Sequence, residues 1–241
     1  MATLVTLTSQ NVTRSNDHDR QIAAMFDRIA PRYDLLNRLL SFGRDASWRR
    51  RAVALAELGP GERALDVGAG TGDLAFALAT AAPSARVIAL DLAPGMLARA
   101  RKRADAALGF VVGSAEALPF PDAVFSCVVA GFAVRNFGDL QRGLADMRRV
   151  LRPGGRAVVL ELALPPSRTL RALHLLYLHR VAPAIARIVG SSSDAYRYLP
   201  SSIEAFPDPE RLAAAFRDAG FQRVRFERLT FGVATVHLAE A

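Results

Sequence analysis

Residues 64–74 read ALDVGAGTGDL, and the fold class can be argued from this segment. An apolar run, typical of a buried strand, leads directly into Gly68, Gly70 and Gly72, where a helical pattern begins. Glycines there let the backbone turn sharply and approach a ligand, and the free N–H groups of a helix start attract a carboxylate. The stretch predicts a small-molecule site, although tight turns use glycine as well.

The glycine spacing distinguishes between two ligands. A dinucleotide site has the pattern G-x-G-x-x-G or A, whereas here Asp73 occupies the third small position and the spacing is G-x-G-x-G. Asp66, just inside the strand before the loop, is placed to order the loop and to meet the ammonium group of an amino acid. The loop therefore favours the methionine part of S-adenosylmethionine (SAM) over a pyrophosphate.

A further candidate cofactor residue ends the next predicted strand. Asp91 follows the apolar run VIAL, 19 residues beyond Gly72, where a carboxylate accepts hydrogen bonds from both ribose hydroxyls. The alternative role for Asp91 is that of a cap on the following helix. Leu92 comes next, and after the third strand Ser114 and Ala115 would lie beside the adenine, although that segment alone reads equally well as a plain loop.

Outward from this stretch, short apolar runs alternate with helical patterns, which indicates a parallel sheet covered on both faces. The predicted strands are residues 64–67, 86–90, 109–113, 125–130, 156–162, 221–229 and 231–239, and helices are predicted at 72–82, 94–106, 139–150, 167–190 and 208–219. No helix separates the last two strands. The fold class is therefore α/β, a Rossmann-like fold with a seven-stranded, mostly parallel sheet and a C-terminal antiparallel hairpin, which resembles the SAM-methyltransferase variant.

The chain is interpreted as a flexible tail (1–18) followed by one methyltransferase domain (19–241). Within the domain, N-terminal helices occupy 19–60, with Pro31 separating the first two, and a helical insertion on the acceptor side occupies 165–205, with a kink at Pro183. The RPGG stretch, 152–155, is predicted to be a turn.

Composition limits the classes of function. The 241 residues carry a net charge of +8, almost all of it from arginine, which favours anionic partners such as lipid head groups unless it is only a compositional bias. The lone Cys127 excludes an internal disulfide, and the scattered histidines offer no metal site. Without a signal peptide or a span of about 18 apolar residues, we expect a cytoplasmic protein, or one peripheral at the inner face of the membrane.

Three competing classes lack their motifs. A short-chain dehydrogenase requires Tyr-x-x-x-Lys, but Lys102 has no tyrosine four residues earlier, and a P-loop requires G-K-[ST]. An amino methylase of nucleic-acid bases usually has Asn/Asp-Pro-Pro-aromatic after the fourth strand, where this chain has GFAVRN. No basic and aromatic stripe suggests nucleic-acid binding.

Several segments together resemble the menaquinone and ubiquinone biosynthesis C-methyltransferases. Residues 26–50, FAVRN (132–136) and YRYLPSSIEAFPD (196–208) are specific to that family, whereas the glycine loop and RPGG occur in many methyltransferases. The chain departs from the family pattern at the methionine position held by Leu36, the histidine position held by Asp45, the glycine position held by Ala133 and the serine position held by Ala163. Asp45 and Ala133 bear on the acceptor pocket. The resemblance implies SAM contacts at Thr71, Asp91, Ser114, Ala115 and Gly131.

The resemblance also implies methylation of a ring carbon in a polyprenylated hydroquinol. Demethylmenaquinol is the first candidate, and a ubiquinone precursor stays open. A phenol has a pKa of about 10, so the enzyme must help to ionise the hydroxyl beside the reacting carbon. Arg135 is expected to hold the phenolate or polarise a water, with Asn136 orienting it, unless it only caps loop carbonyls. Tyr33 and Tyr198 are candidate pocket walls or proton relays, or else core aromatics.

Two other functions remain open. One is a methyltransferase of a soluble small molecule, and the other is a catalytically inactive SAM-binding regulator or RNA-binding protein. The intact glycines and Asp91 argue against the inactive protein. The length of the prenyl tail, the identity of the general base and the oligomeric state, with a homodimer as one option, are not determined by the sequence.

Overall fold

A computed structural model describes residues 9–104, 108–189 and 193–241. Its strands are β1 (Arg63–Val67), β2 (Arg86–Asp91), β3 (Leu108–Val112), β4 (Phe125–Gly131), β5 (Leu151–Leu162), β6 (Gln222–Leu229) and β7 (Ala234–Glu240). Its α-helices are α1 (Ser9–Ile29), α2 (Tyr33–Leu40), α3 (Arg44–Ala56), α4 (Asp73–Ala81), α5 (Pro94–Arg103), α6 (Leu140–Val150), α7 (Arg168–Leu176), α8 (Ala182–Ile188), α9 (Ser193–Ala205) and α10 (Pro209–Asp218).

The seven strands form one sheet in the order β3-β2-β1-β4-β5-β7-β6. Only β7 runs antiparallel to its neighbours β5 and β6, so the predicted fold class and its C-terminal hairpin are confirmed. The order reverses between β1 and β4, and in open α/β sheets ligands bind outside the carboxyl ends of the strands at such a point. The glycine loop leaves β1 and the FAVRN segment leaves β4 at this edge.

The central strands are buried because the sheet is covered on both faces. β4 is buried along nearly its whole length, as the continuous apolar run predicts. One face packs against α3 and α4 and the other against α6 and α10. Side chains fix two helix starts: Asp139 accepts a hydrogen bond from the backbone N–H of Arg142, and Asp208 accepts one from that of Arg211.

The N-terminal segment differs from its prediction. Helix α1 begins at Ser9, so the second half of the segment expected to be a flexible tail is helical, and residues 1–8 lie outside the described residues. Contacts of α1 with α5 and α9 supply the packing that the polar sequence did not reveal. Pro31 does separate two helices, since it lies in a short 3-10 turn between α1 and α2.

Two further local differences concern glycine and proline. The RPGG stretch, predicted as a turn, belongs to β5, where the pairing with β4 shifts register between Phe125 and Cys127. Where a kink is expected at Pro183, a π-helical turn, Tyr177–Val181, directly precedes α8, and Pro183 lies in the first turn of that helix. Helix α5 ends at Arg103, and the remainder of its predicted range lies partly outside the described residues.

Within the described ranges, no helix has both the length and the apolar character needed to cross a bilayer.

Candidate functional site

The glycine loop after β1 is held in a conformation that requires glycine. Gly68, Gly70 and Gly72 have φ angles of +68°, +56° and +88°. A Cβ atom on Gly68 would come within 2.4 Å of the Cβ of Ala133, so the loop from β1 packs directly against the segment after β4. Ala133, where the family pattern has glycine, therefore touches the cofactor side of the site.

Asp91 ties this loop to the next helix. Its Oδ2 accepts a hydrogen bond from the backbone N–H of Gly70 at 2.7 Å, and its Oδ1 accepts one from Ala93 at 2.8 Å. Asp91 therefore orders the turn before the helix, whereas the residue that caps α5 is Ala93, and the alternative role as a helix cap is not observed. A carboxylate offers four lone pairs, so Asp91 can still accept from another donor. Burial raises the pKa of Asp91 above its usual range, against the opposing effect of these backbone hydrogen bonds.

A cavity of about 640 Å³, counted with its open mouth, lies beside the loop. Seven of the ten predicted cofactor positions line it: Gly68, Gly70, Asp91, Leu92, Ser114, Ala115 and Gly131. Asp66, Thr71 and Gly72 do not line it. Instead, Thr71 donates a hydrogen bond to Asp34, and Gly72 is the residue before α4.

Asp66 is buried behind the cavity, and neither of its carboxylate oxygens has a hydrogen-bond partner. Burial, reinforced by the nearby charge of Asp91, raises the pKa of Asp66 to about 7. An acid in this state is suited to a cationic partner that the protein itself does not provide.

Helix α1 contributes residues that the sequence did not indicate as site residues. Asp19, Ile22, Ala23 and Phe26 line this first cavity. From the sequence, the helices over 22–40 were expected to be a candidate for the groove of the prenyl tail, but Ile22 and Phe26 line the cavity beside the glycine loop, and only Phe26 of these two also lines the second cavity. No sequence signal marked Asp19, whose pKa is raised by burial although Ser114 hydrogen-bonds it.

A second cavity, of about 880 Å³ counted in the same way, adjoins the first. Its walls are mostly apolar and come from α1, α2, α3, the α7–α8 segment and α9, with the segment after β4, the end of β5 and the residue before β7. Phe26, Tyr33 and Phe132 line both cavities and form the partition between them. Asp45, another departure from the family pattern, also lines the second cavity. Although burial opposes it, hydrogen bonds from Ser41 and Arg49 hold its pKa below the usual range.

Arg135 faces the second cavity and is held from behind by an acid. One guanidinium nitrogen donates to Glu161 Oε1 at 2.6 Å and to the carbonyl of Phe132 at 2.7 Å. Glu161 is fully buried, and the Nε of Arg135 has no hydrogen-bond partner. Sequence reasoning missed Glu161, although an acid at the end of the apolar strand RAVVLEL was a usable signal.

The other predicted catalytic residues lie where the two cavities meet. Asn136 lines the first cavity and Tyr198 the second, and the Tyr198 hydroxyl donates to Asn136 Oδ1 at 3.1 Å. Asn136 thus contacts Tyr198, and the side chain that orients Arg135 is Glu161, contrary to expectation. Burial raises the pKa of Tyr33 and of Tyr198, so both hydroxyls are protonated at neutral pH.

His174 on α7 also lines the second cavity and was not predicted as a site residue. Its Nε2 is buried without a hydrogen-bond partner. The available signal was a single histidine inside the apolar stretch ALHLLYL. No group of three or more His, Cys, Asp or Glu in the described parts of the chain is arranged to hold a metal.

Comparisons with known proteins give the family of the chain. The model of the ubiE/COQ5 methyltransferase family matches residues 13–240. The chain is 51% identical over 219 residues to a demethylmenaquinone methyltransferase of Thermus thermophilus, covering 90% of this chain and 99% of that protein. It is 41% identical over 233 residues to the ubiquinone/menaquinone biosynthesis C-methyltransferase UbiE of Geobacter sulfurreducens, covering 94% and 91%.

Solved structures support the fold alone, because their sequences are distant. A SAM-dependent methyltransferase from Thermotoga maritima matches with a TM-score of 0.63 and 20% identity, covering 90% of this chain and 98% of that chain. The cyclase SpnF matches with a TM-score of 0.67 and 18% identity, covering 92% and 96%. Since one of these neighbours is named for a cyclisation, the fold by itself does not define the reaction.

Proposed function

The chain belongs to the ubiE/COQ5 methyltransferase family, and we propose that it methylates a ring carbon of demethylmenaquinol with SAM as the methyl donor. The observation that carries the proposal is the pair of adjoining cavities. One is walled by the glycine loop and Asp91, and the other is apolar and contains Arg135. The higher identity to the demethylmenaquinone methyltransferase favours that substrate, and the UbiE relative makes a ubiquinone precursor the second candidate.

The residues of the first cavity suit SAM. The unpartnered carboxyl group of Asp66 suits an ammonium group, directly or through water, and the glycine loop gives the backbone close access to the methionine part. Asp91 retains lone pairs for the ribose hydroxyls, and Ser114 and Ala115 line the side where the adenine would lie. When bound, SAM supplies an electrophilic methyl group.

The residues of the second cavity prepare the acceptor ring. Arg135 presents its unpartnered Nε–H to an oxygen of the quinol, and its fixed charge favours the phenolate over the phenol. Loss of the hydroxyl proton makes the adjacent ring carbon nucleophilic. A carbon–carbon bond to the methyl group then forms as the carbon–sulfur bond breaks, and the ring carbon finally loses its hydrogen as a proton. Tyr33 and Phe132, in the partition, align the reacting groups.

Purified protein tests the proposal directly. Incubation with methyl-labelled SAM and a short-chain demethylmenaquinol, kept reduced with dithionite, is expected to give labelled menaquinol. A prenylated ubiquinone precursor is tested in parallel, and preferential labelling of that compound would replace the first substrate by the second. Labelling of neither quinol contradicts the proposed function.

The surface around the second cavity suggests where the prenylated substrate is reached. Eight of the ten exposed large apolar side chains in the described residues lie on α2, on the turn after it and on the α7–α8 segment, here called the apolar rim: Leu35, Leu39, Phe42, Leu170, Leu173, Leu176, Val181 and Ile188. Exposed arginines on the same elements are Arg38, Arg168, Arg171, Arg180 and Arg187. We propose that this rim makes peripheral contact with an anionic membrane.

A further inference from the structure

Helix α7 contributes one polar side chain, His174, to the wall of the second cavity, here called the acceptor cavity. Leu173 and Leu176, on the same helix, are each 58% exposed, whereas His174 is half-buried and lines the cavity. The imidazole ring stacks on Tyr177 at an interplanar angle of 16°. Tyr177 is itself fixed, because its hydroxyl donates to the carbonyl of Leu40 at 2.9 Å. The position of His174 is therefore fixed by its own helix and, through Tyr177, by the end of α2.

Polar atoms on the wall of this cavity are otherwise paired within the protein. Asp45 accepts hydrogen bonds from Ser41 and Arg49, and Tyr198 donates to Asn136. Among the described residues, the buried side-chain polar atoms of this wall that lack a partner are the Nε of Arg135 and the Nε2 of His174. A buried polar atom without a partner is costly, which indicates that a ligand completes both.

The two atoms differ in what they offer to a ligand. Arg135 Nε carries a hydrogen and only donates, so it binds an oxygen in any state. Burial lowers the pKa of His174, so the ring is neutral at pH 7, and Nε2 accepts in the tautomer that carries its hydrogen on Nδ1. The ionisable groups that share its cavity are Asp45, Arg135, Tyr33, Tyr177 and Tyr198. Asp45 is ion-paired with Arg49, and Arg135 is ion-paired with Glu161.

We propose that Nε2 of His174 accepts a hydrogen bond from a hydroxyl group of the bound quinol and thereby makes the cavity select the reduced ring over the quinone. A quinol hydroxyl donates, whereas a quinone carbonyl only accepts and would leave Nε2 unpartnered. This selection serves methylation, because only the reduced ring forms a phenolate. The inference rests on the proposed function and makes His174 a residue that determines the redox form of the substrate.

Ligand binding to the second cavity can be measured without turnover. Trp48 is the only tryptophan and lines the same cavity, so quenching of its fluorescence reports occupancy. The titrations use S-adenosylhomocysteine-loaded protein and a short-chain demethylmenaquinone, first as the quinone and then as the dithionite-reduced quinol. The variants are His174→Leu, His174→Phe and the acceptor-retaining His174→Gln. The matched control is His179→Leu, since His179 is exposed and bonded to Glu204 outside the cavity.

Wild-type protein is expected to bind the quinol about tenfold more tightly than the quinone, the ratio that one hydrogen bond supplies. His174→Leu and His174→Phe should lose about tenfold in quinol affinity while quinone affinity stays within about twofold, and His174→Gln should keep most of the preference. An unchanged preference in both apolar variants overturns the proposal, as does an equal loss for both redox forms, which would make His174 structural. If the wild-type protein neither binds nor methylates either of the two quinols, the proposed function itself is contradicted.

Discussion

Among single residues, Glu161 and Asp66, the two most deeply buried acids near the site, are stabilised differently. Glu161 is paired with Arg135 and accepts backbone hydrogen bonds as well, whereas both oxygens of Asp66 lack a partner. A paired acid holds its partner in place, and an unpaired acid destabilises the ligand-free fold when it is charged. The acceptor side is therefore preorganised, while the cofactor side carries a stability cost that a cationic ligand would relieve.

Asp66→Asn is expected to stabilise the ligand-free protein in a pH-dependent way. Because the pKa of Asp66 is raised to about 7, the folded protein binds more protons than the unfolded chain between about pH 4 and 7, and stability falls as pH rises through that window. The gain from Asp66→Asn should thus be small at pH 4.5 and reach about 1–4 kcal/mol at pH 8. Thermal unfolding at both pH values measures it, with the exposed Asp218→Asn as control. A gain that does not grow with pH contradicts the prediction.

The role of Arg135 is tested in a double variant, because removing Arg135 alone leaves the buried charge of Glu161 unpaired. Arg135→Met should cost roughly 3–5 kcal/mol of stability by leaving Glu161 unpaired. Arg135→Met combined with Glu161→Gln removes both charges and should fold. Single-turnover methylation by the double variant should fall by about 10²–10³-fold, the range for loss of one oxyanion partner, while SAM affinity changes only a few-fold.

The pH dependence of the same double variant separates catalysis from structure. Raising the pH from 7 to 9.5 brings it closer to the phenol pKa of about 10, so more of the quinol ionises unaided and the variant should recover part of its rate. If the double variant turns over at the wild-type rate, Arg135 only holds the loop.

Among whole elements, those that are determined by the local sequence were predicted, and those that depend on tertiary packing were not. The strands and the glycine loop were predicted because a doubly covered strand is a continuous apolar run, and because backbone with positive φ, as at Gly68, selects glycine locally. The first half of α1 was not predicted, since its sequence is polar and has no apolar periodicity that would indicate a helix. His174 was missed because tertiary packing, and not spacing, determines which side of α7 faces the cavity.

Helix α1 is expected to respond to the cofactor. Ile22, Ala23 and Phe26 line the cofactor cavity, so a ligand there adds contacts that hold the helix in place. Hydrogen exchange in peptides covering residues 17–29 should slow by about tenfold or more when S-adenosylhomocysteine is saturating. Helix α10 packs on β6, away from this cavity, and provides the internal control. Equal exchange in α1 with and without ligand would show that α1 does not cover the bound cofactor.

Over the whole molecule, charge and apolar surface are distributed unequally. Many arginines are engaged in ion pairs, such as Arg51 with Glu227 and Arg149 with Asp146. The +8 net charge is therefore not evenly available to a partner. The apolar rim, by contrast, combines exposed leucines with exposed arginines on the elements that wall the acceptor cavity. This combination is what an interfacial surface requires, because apolar side chains enter the lipid while arginines meet anionic head groups.

Vesicle binding tests this surface. The protein should bind vesicles of equal parts phosphatidylglycerol and phosphatidylcholine, bind pure phosphatidylcholine weakly, and lose anionic binding as salt rises, because each arginine near the surface contributes about 1 kcal/mol that salt screens. Phe42→Ser with Ile188→Ser, at positions 77% and 86% exposed, should weaken binding at every salt concentration without changing the melting temperature. Val112→Ser, 59% exposed at the end of β3 and outside the rim, is the matched control and should bind normally. Equal binding to both vesicle types would show that the arginine excess is only compositional. Normal binding by the rim variant would show that the apolar rim does not contact the membrane.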